Sequence, residues 1–162
     1  MKIAIISDTH DNIPNLRKAL ELIKDSEVLI HCGDLCGPFM LDELKKFQGE
    51  IHLIFGNIGD PYLTPIRAEK LDINFYRNFA ELNIDSKKIA AAHFPEIAKA
   101  VAESNRYDLV CYGHTHIPEK TKINKTQLLN PGTLSGRKLS KQVTSSFATY
   151  NTETDEIEIL EI

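Results

Sequence analysis

Asp8 and His10 stand two residues apart, just past the apolar run Ile3-Ala4-Ile5-Ile6 and Ser7. A carboxylate and an imidazole so close together are two of the ligand types that hold a transition-metal ion. The same chemistry recurs along the chain. Asp34 follows Gly33, Asn57 follows Gly56, His93 closes the run Ile89 to Ala92, and His114 and His116 come after Leu109 to Tyr112 and Gly113. Each has an ordinary explanation taken singly: Asp34 as a turn residue, Asn57 as a left-handed residue, His93 as a hydrogen-bonded core histidine, His10 as an exposed loop residue. Recurrence at the end of one strand-like run after another is not covered by those explanations. Asp8 and Asp34 brought together would repel one another, and a cation between them would remove that cost. Carboxylate, amide and imidazole without a set of thiolates suit Mn²⁺, Fe²⁺, Zn²⁺ or Ni²⁺. His114 and His116 are expected to face the same side of an extended segment.

The elements that must position these residues follow from the hydrophobic pattern. Ile3 to Ile6, Val28 to His31 and Ile51 to Phe55 are short apolar runs that predict strands buried on both faces. Between them, Leu16, Ala19, Leu20, Leu22 and Ile23 predict an amphipathic helix ending near Lys24, with Asn12 as its cap and Pro14 in its first turn. Pro38 to Phe47 predicts a second helix with Phe39, Leu41, Leu44 and Phe47 buried, and Pro61 to Lys70 a short third one. Three such units with right-handed crossovers imply a parallel sheet, whose ligands gather outside the carboxyl ends of its strands. The later half changes character. Phe79 to Ile84 and Ile89 to Ala92 read as a hairpin. Pro95 to Ser104 reads as a helix burying Ile97, Ala98, Val101 and Ala102. Leu109 to Tyr112 is a buried strand; Glu119 to Asn124, Gln127 to Leu129, Ser146 to Asn151 and Glu156 to Leu160 are further strands, with a Gly/Ser/Lys-rich loop before the last two. The expected class is therefore α/β: two stacked mixed β-sheets flanked by helices. One domain over residues 1–162 is expected from the length and the lack of a linker.

The ordered series Asp8-x-His10, Gly33-Asp34, Gly56-Asn57, His93 and Gly113-His114-x-His116 resembles the calcineurin-like metallophosphoesterase superfamily. The length and the late Asn130-Pro131-Gly132 resemble its small YfcE/MJ0936-type phosphodiesterase branch. The resemblance spans essentially the whole chain and implies a four-layer α/β/β/α sandwich. It also implies two divalent transition-metal ions, with Mn, Ni, Fe and Zn as candidates. Asp8, His10, Asp34 and His116 would hold one, and Asp34, Asn57, His93 and His114 the other. Asp34 would bridge them together with a hydroxide that attacks the phosphorus in line. Asp34, Asn57 and His93 would then act in catalysis through the bound hydroxide and phosphate. Asn130-Pro131-Gly132 would lie near the metals and lead into Arg137, a candidate contact for a phosphate oxygen through its planar fork. Lys138 and Lys141 read as solvated, and His31 and His52 as packing residues. The chain departs from many relatives at Ile58, where a histidine often stands as a leaving-group acid. It departs again at Gly59, where an acidic residue is common and Asp60 comes one position later, and at His93-Phe94-Pro95 in place of His-Gly-His.

Composition narrows the function classes. The 162 residues are 42% hydrophobic and 26% charged, with a net charge of −4. That balance argues against an extended nucleic-acid surface but leaves room for a local phosphate pocket. No run approaches the roughly 18 apolar residues of a membrane span. The apolar strand run starts almost at the first residue, leaving no room for a signal peptide. Three cysteines without framework spacing fit reduced thiols in a cytoplasmic protein. The expected activity is hydrolysis of a small phosphate ester, diesters ahead of monoesters because few cationic residues flank the ligand motifs. A non-catalytic protein-binding scaffold of the same fold is the alternative, and a homo-oligomer is left open.

Overall fold

The structure is a computed structural model that describes residues 1–162. It begins with β1 (Lys2–Ile6), α1 (Ile13–Leu22), β2 (Val28–His31), α2 (Met40–Leu44), β3 (Glu50–Ile54), α3 (Leu63–Lys70) and β4 (Asn74–Tyr76). Strands β1 to β4 run parallel in sequence order, with Ile5 beside Ile30 and Ile30 beside His52. The rest of this six-stranded sheet comes from the end of the chain. There β12 (Ser146–Asn151) lies antiparallel to β1, and β13 (Ile157–Glu161) completes the edge. The second sheet has the order β5-β6-β7-β9-β8, built from β5 (Phe79–Ile84), β6 (Lys87–Ala92), β7 (Leu109–Cys111), β8 (Glu119–Ile123) and β9 (Thr126–Asn130). Helix α4 (Pro95–Glu103) crosses from β6 to β7, and the small hairpin β10 (Arg137–Lys138) and β11 (Lys141–Gln142) stands apart from both sheets.

Side-chain alternation turns these two sheets into four layers. Ile3 and Ile5 point between the sheets and join Val28, Ile30, Ile89, Ala91, Leu109 and Leu129 in a buried cluster. Ala4, Ile6 and Leu29 point the other way, onto Leu16, Ala19, Ile23, Leu41 and Leu44 of the first helices. On the far side, Ala98 and Ala102 of α4 pack on Ala90, Val110 and Leu128. Fully burying an aliphatic side chain of this size contributes about 1.5–3 kcal/mol, so β1, buried on both faces, is the anchor of the fold. The four layers are those expected. No helix is long and apolar enough to cross a membrane.

Several local expectations are corrected. The second helix is shorter than Pro38–Phe47, and Phe39 is 54% exposed while Met40 takes the buried place. Met40, Leu41 and Leu44 share one helical face, which turns Phe39 outward. Leu22 and Ile97 are also exposed. In α4 the residues against the sheet are the small Ala98 and Ala102, which permit close approach. Strand β4 is too short to show alternation and was not foreseen, and neither was the hairpin within the Gly/Ser/Lys-rich loop.

Candidate metal centre

The parallel strands deliver their last residues to one edge of the sandwich. β1 runs into Ser7 and Asp8, β2 into Asp34, β3 into Asn57, β6 into His93, and β7 into His114 and His116. Asp8, His10, Asp34, His114 and His116 all have positive φ, between 44° and 67°. Side chains other than glycine enter that region at a cost, and such strain concentrates where surrounding contacts over-determine it. Here they do. Asp8 N–H donates to the Gly33 carbonyl at 2.9 Å, His10 N–H to the Asp34 carbonyl at 3.1 Å, and Asp34 N–H to the Phe55 carbonyl at 3.1 Å. Two glycines permit the close approach. A Cβ on Gly56 would lie 2.3 Å from Asp34 Oδ1, and one on Gly113 would lie 2.0 Å from Ser7 Oγ.

The donor atoms fall into two groups. In the first, His10 Nε2 lies 3.1 Å from His116 Nε2, and His116 Nε2 lies 3.2 Å from Asp8 Oδ1. In the second, Asn57 Oδ1 lies 2.8 Å from His93 Nε2 and 3.0 Å from His114 Nδ1, and those two ring nitrogens are 3.2 Å apart. Asp34 stands between the groups. Its Oδ2 is 3.7 Å from His10 Nε2 and 3.4 Å from His93 Nε2, while its Oδ1 accepts the Asn57 and Ile58 amides at 2.8 and 2.9 Å. Asp8 also belongs to both triplets of donor atoms lying within 4.8 Å of one another. Its Oδ2 accepts the Ser7 hydroxyl, and the His114 amide reaches both oxygens, at 3.0 Å for Oδ2 and 3.2 Å for Oδ1; Oδ1 is the one that faces the first group.

These residues fit metal ions. Neighbouring ligand atoms around a tetrahedral ion with bonds of about 2.1 Å are about 3.4 Å apart, close to the separations within each group. Ring nitrogens facing each other at such distances repel unless a proton or a cation lies between them. The outer nitrogens are fixed from behind: His93 Nδ1–H donates to the Cys32 carbonyl at 2.9 Å and His116 Nδ1–H to the Arg137 carbonyl. Each leaves Nε2 as a lone pair aimed inward. Asp8 and Asp34 are buried with only histidines as ionic partners. Burial pushes both carboxyls up, but hydrogen bonds outweigh it and hold both below the usual range: with His10 and His116 for Asp8, with His93 and the two amides for Asp34. Burial pushes His93 and His116 down, and the carboxylates of Asp34 and Asp8 respectively more than reverse it. A site that gathers protons in this way also gathers cations.

All seven candidate ligands named from the sequence meet in this cluster, and Arg137 lines the cleft above it. The cleft has a volume of about 610 Å³ and is walled by Ile58, Ser135, Arg137 and Leu139. Contrary to expectation, His114 and His116 do not face one side of an extended segment. The chain turns at both, and their rings part to opposite groups. Phe94, in the place of a glycine, lays its ring edge-on against His93 and His114, with centroids 5.1 and 4.9 Å away. Asp60, the acidic residue one position past Gly59, is committed elsewhere: its Oδ1 accepts the Tyr62 and Leu63 amides at the start of α3. Supporting residues that carry no ligand signal were missed. Thr133 Oγ1 donates to the Asp8 carbonyl, and Asn130 Nδ2 donates to the Gly113 carbonyl and Thr115 Oγ1. His31 is buried, as expected, and is hydrogen-bonded there: its Nδ1 accepts the Gly33 amide, so its Nε2–H donates to Thr9 Oγ1 at 2.7 Å. Only Asn130, flagged through Asn130-Pro131-Gly132, had any signal in the sequence.

Residues 1–155 match the calcineurin-like phosphoesterase superfamily domain. Phosphodiesterase MJ0936 of Methanocaldococcus jannaschii is 35% identical over 143 residues, which cover 84% of this chain and 86% of that protein. The solved structure of an archaeal phosphodiesterase superposes with a TM-score of 0.90 at 29% identity, covering 100% of both chains. Vps29 of Entamoeba histolytica, solved with zinc, shares the fold with a TM-score of 0.73 at 19% identity, covering 100% of this chain and 98% of its own.

Proposed function

The chain belongs to the calcineurin-like phosphoesterase superfamily and is a metal-dependent phosphoesterase, and from that premise we propose that it is a phosphodiesterase with a dinuclear centre. Asp8, His10, Asp34 and His116 would hold one divalent ion, and Asp34, Asn57, His93 and His114 the other, with Mn²⁺ and Ni²⁺ as the first ions to test. One observation carries the reading: Asp34 Oδ2 faces both groups of histidines while Oδ1 is tied down by two amides. An oxygen so placed could serve both groups, and two ions held there would share its negative charge. When bound, such ions neutralise phosphate oxygens and make water a nucleophile near neutral pH.

The chain's own residues do the rest. Asp34, held by the Asn57 and Ile58 amides, fixes the spacing of the two groups. The outward hydrogen bonds of His93 and His116 set their rings. Arg137 is the one cationic side chain other than histidine lining the cleft, and its guanidinium suits a phosphate oxygen carrying the single charge of a diester. A monoester brings more negative charge and would call for further cations there. The three cysteines are unpaired, which supports a reducing, cytoplasmic setting.

Chelation of the purified protein is expected to abolish hydrolysis of an aryl phosphodiester, and added Mn²⁺ or Ni²⁺ to restore it. Metal analysis should then find two ions per chain. Absence of turnover with every divalent metal and every phosphate ester would instead favour the protein-binding scaffold.

A further inference from the structure

Three histidines of the metal centre turn a ring nitrogen outward, and each meets a partner there. For His93 and His116 the partners are backbone carbonyls, those of Cys32 and Arg137. For His10 the partner is a side chain: Nδ1 lies 3.4 Å from Cys36 Sγ. His10 Nε2 is turned to His116 and Asp8, so Nδ1 carries the ring proton and the sulfur accepts it. The thiol's own proton is donated to the Asp34 carbonyl, 3.9 Å from Sγ. Cys36 is half-buried, belongs to neither group of donor atoms and stands outside the cleft that His10 lines. Its reach is to the back of a ligand, not to an ion or a substrate.

The backbone keeps that thiol in place at a cost. Cys36 has a φ of 79°, a left-handed conformation that glycine adopts freely and a residue with a Cβ does not. Neighbouring loops hold it there. Cys36 forms a parallel bridge with Gly59, Asp11 N–H donates to the Leu35 carbonyl at 3.4 Å, and Gly37 N–H donates to Asp11 Oδ1 at 2.8 Å. A side chain kept where glycine would sit without strain points to use of that side chain. The sulfur ties His10, which follows β1, to the loop that carries Asp34 after β2. We propose that Cys36 is a positioning residue of the metal centre: its thiol holds the His10 ring through Nδ1 so that Nε2 faces the first ion. This rests on the reading of His10 as a ligand of that ion.

Calorimetric titration of the chelator-treated protein with Mn²⁺ reads the metal affinities, and His10→Ala identifies the one that depends on His10. Cys36→Ala is expected to weaken that same affinity by roughly 10-fold, the low end for an outer partner because sulfur is a weak acceptor, and to leave the other within about two-fold. Cys36→Gly relieves the left-handed backbone but also lacks the acceptor. It should bind that ion as weakly as Cys36→Ala does, while its metal-free fold withstands at least as much urea. In the Zn²⁺-loaded native protein, NMR of the ring nitrogens should show a His10 Nδ1–H that exchanges slowly with water. In Cys36→Ala that proton should exchange fast, with those of His93 and His116 unchanged. A loss below about three-fold in Cys36→Ala, native affinity in Cys36→Gly, or a freely exchanging His10 proton in the native protein would overturn the role of Cys36 alone. Unchanged affinities in His10→Ala would overturn the reading of His10 as a ligand, and the role of Cys36 with it.

Discussion

Asp34 carries more of the site than any other side chain, because one of its oxygens faces both histidine groups. Asp34→Asn replaces one acceptor oxygen by an N–H donor and removes the negative charge that faces both histidine groups. It is expected to lose both ions or all turnover, read by metal analysis of the purified variant. His10→Ala and His93→Ala are expected to lose mainly one ion each, since their nitrogens belong to different groups. Ile58 makes the opposite kind of statement. Its apolar side chain sits at the cleft and cannot protonate a departing oxygen. Asp60 is held at the start of α3. General acid help is typically worth about 10²–10⁴-fold, and its absence is felt most by poor leaving groups. Log rate against leaving-group pKa should therefore fall steeply across a series of diesters, with aryl esters far ahead of alkyl esters. Ile58→His should flatten the line where its ring reaches the leaving oxygen. A shallow line in the native protein would mean that another group supplies the proton.

At the scale of elements, the site is a set of strand ends locked to one another by loops. Thr133 and Ser135 bind the Asp8 carbonyl, and Asn12 and Asn15 at the start of α1 bind the Ser135 and Leu134 carbonyls. Asn130, at the end of β9, holds the turn that carries His114 and His116. Asn130→Ala leaves the Gly113 carbonyl without its side-chain donor and should weaken metal binding roughly 10- to 100-fold, the usual cost of losing an outer partner. Titration of the chelator-treated variant with Mn²⁺ reads it, and unchanged affinity would remove Asn130 from the support of the site. This scale also explains what could be read in advance. Strands β1, β2 and β3 were legible because their apolar runs are short and sharply bounded, and the ligands because their types recur at those ends. The rings of His114 and His116 were misjudged because left-handed turns leave no periodicity. Phe39 was misjudged because a helix of five residues is too short for its buried face to be averaged from a pattern. Residues such as Thr133 and His31 act through ordinary hydrogen bonds, and a hydroxyl or imidazole in the sequence does not say which distant loop it will meet.

For the molecule as a whole, acid is expected to weaken the metal-free fold through His31. This ring is buried beneath the site, where the Gly33 amide occupies Nδ1 and Thr9 accepts from Nε2. Burial pushes its pKa from the ordinary 6.5 down to about 4, against the pull of Asp8 and Asp34. The unfolded chain therefore takes up a proton at His31 that the folded chain refuses. The stability His31 contributes is present above pH 6.5 and is lost as the pH falls toward 4, to a total of about 3 kcal/mol. Other groups separate from this window. His93 and His116 are raised, so their contribution is fully present below 6.5 and changes only above it. Asp8 and Asp34 are lowered from 3.8, so theirs is lost only below that value. His52, lowered by burial, adds to the same slope as His31. Urea unfolding of the chelator-treated protein between pH 7 and pH 4 should show stability falling with acid, and His31→Gln should make the fall shallower even where its stability at pH 7 is lower. An unchanged slope in that variant would mean that His31 is protonated in the folded chain and that its bond to Thr9 runs in the other direction.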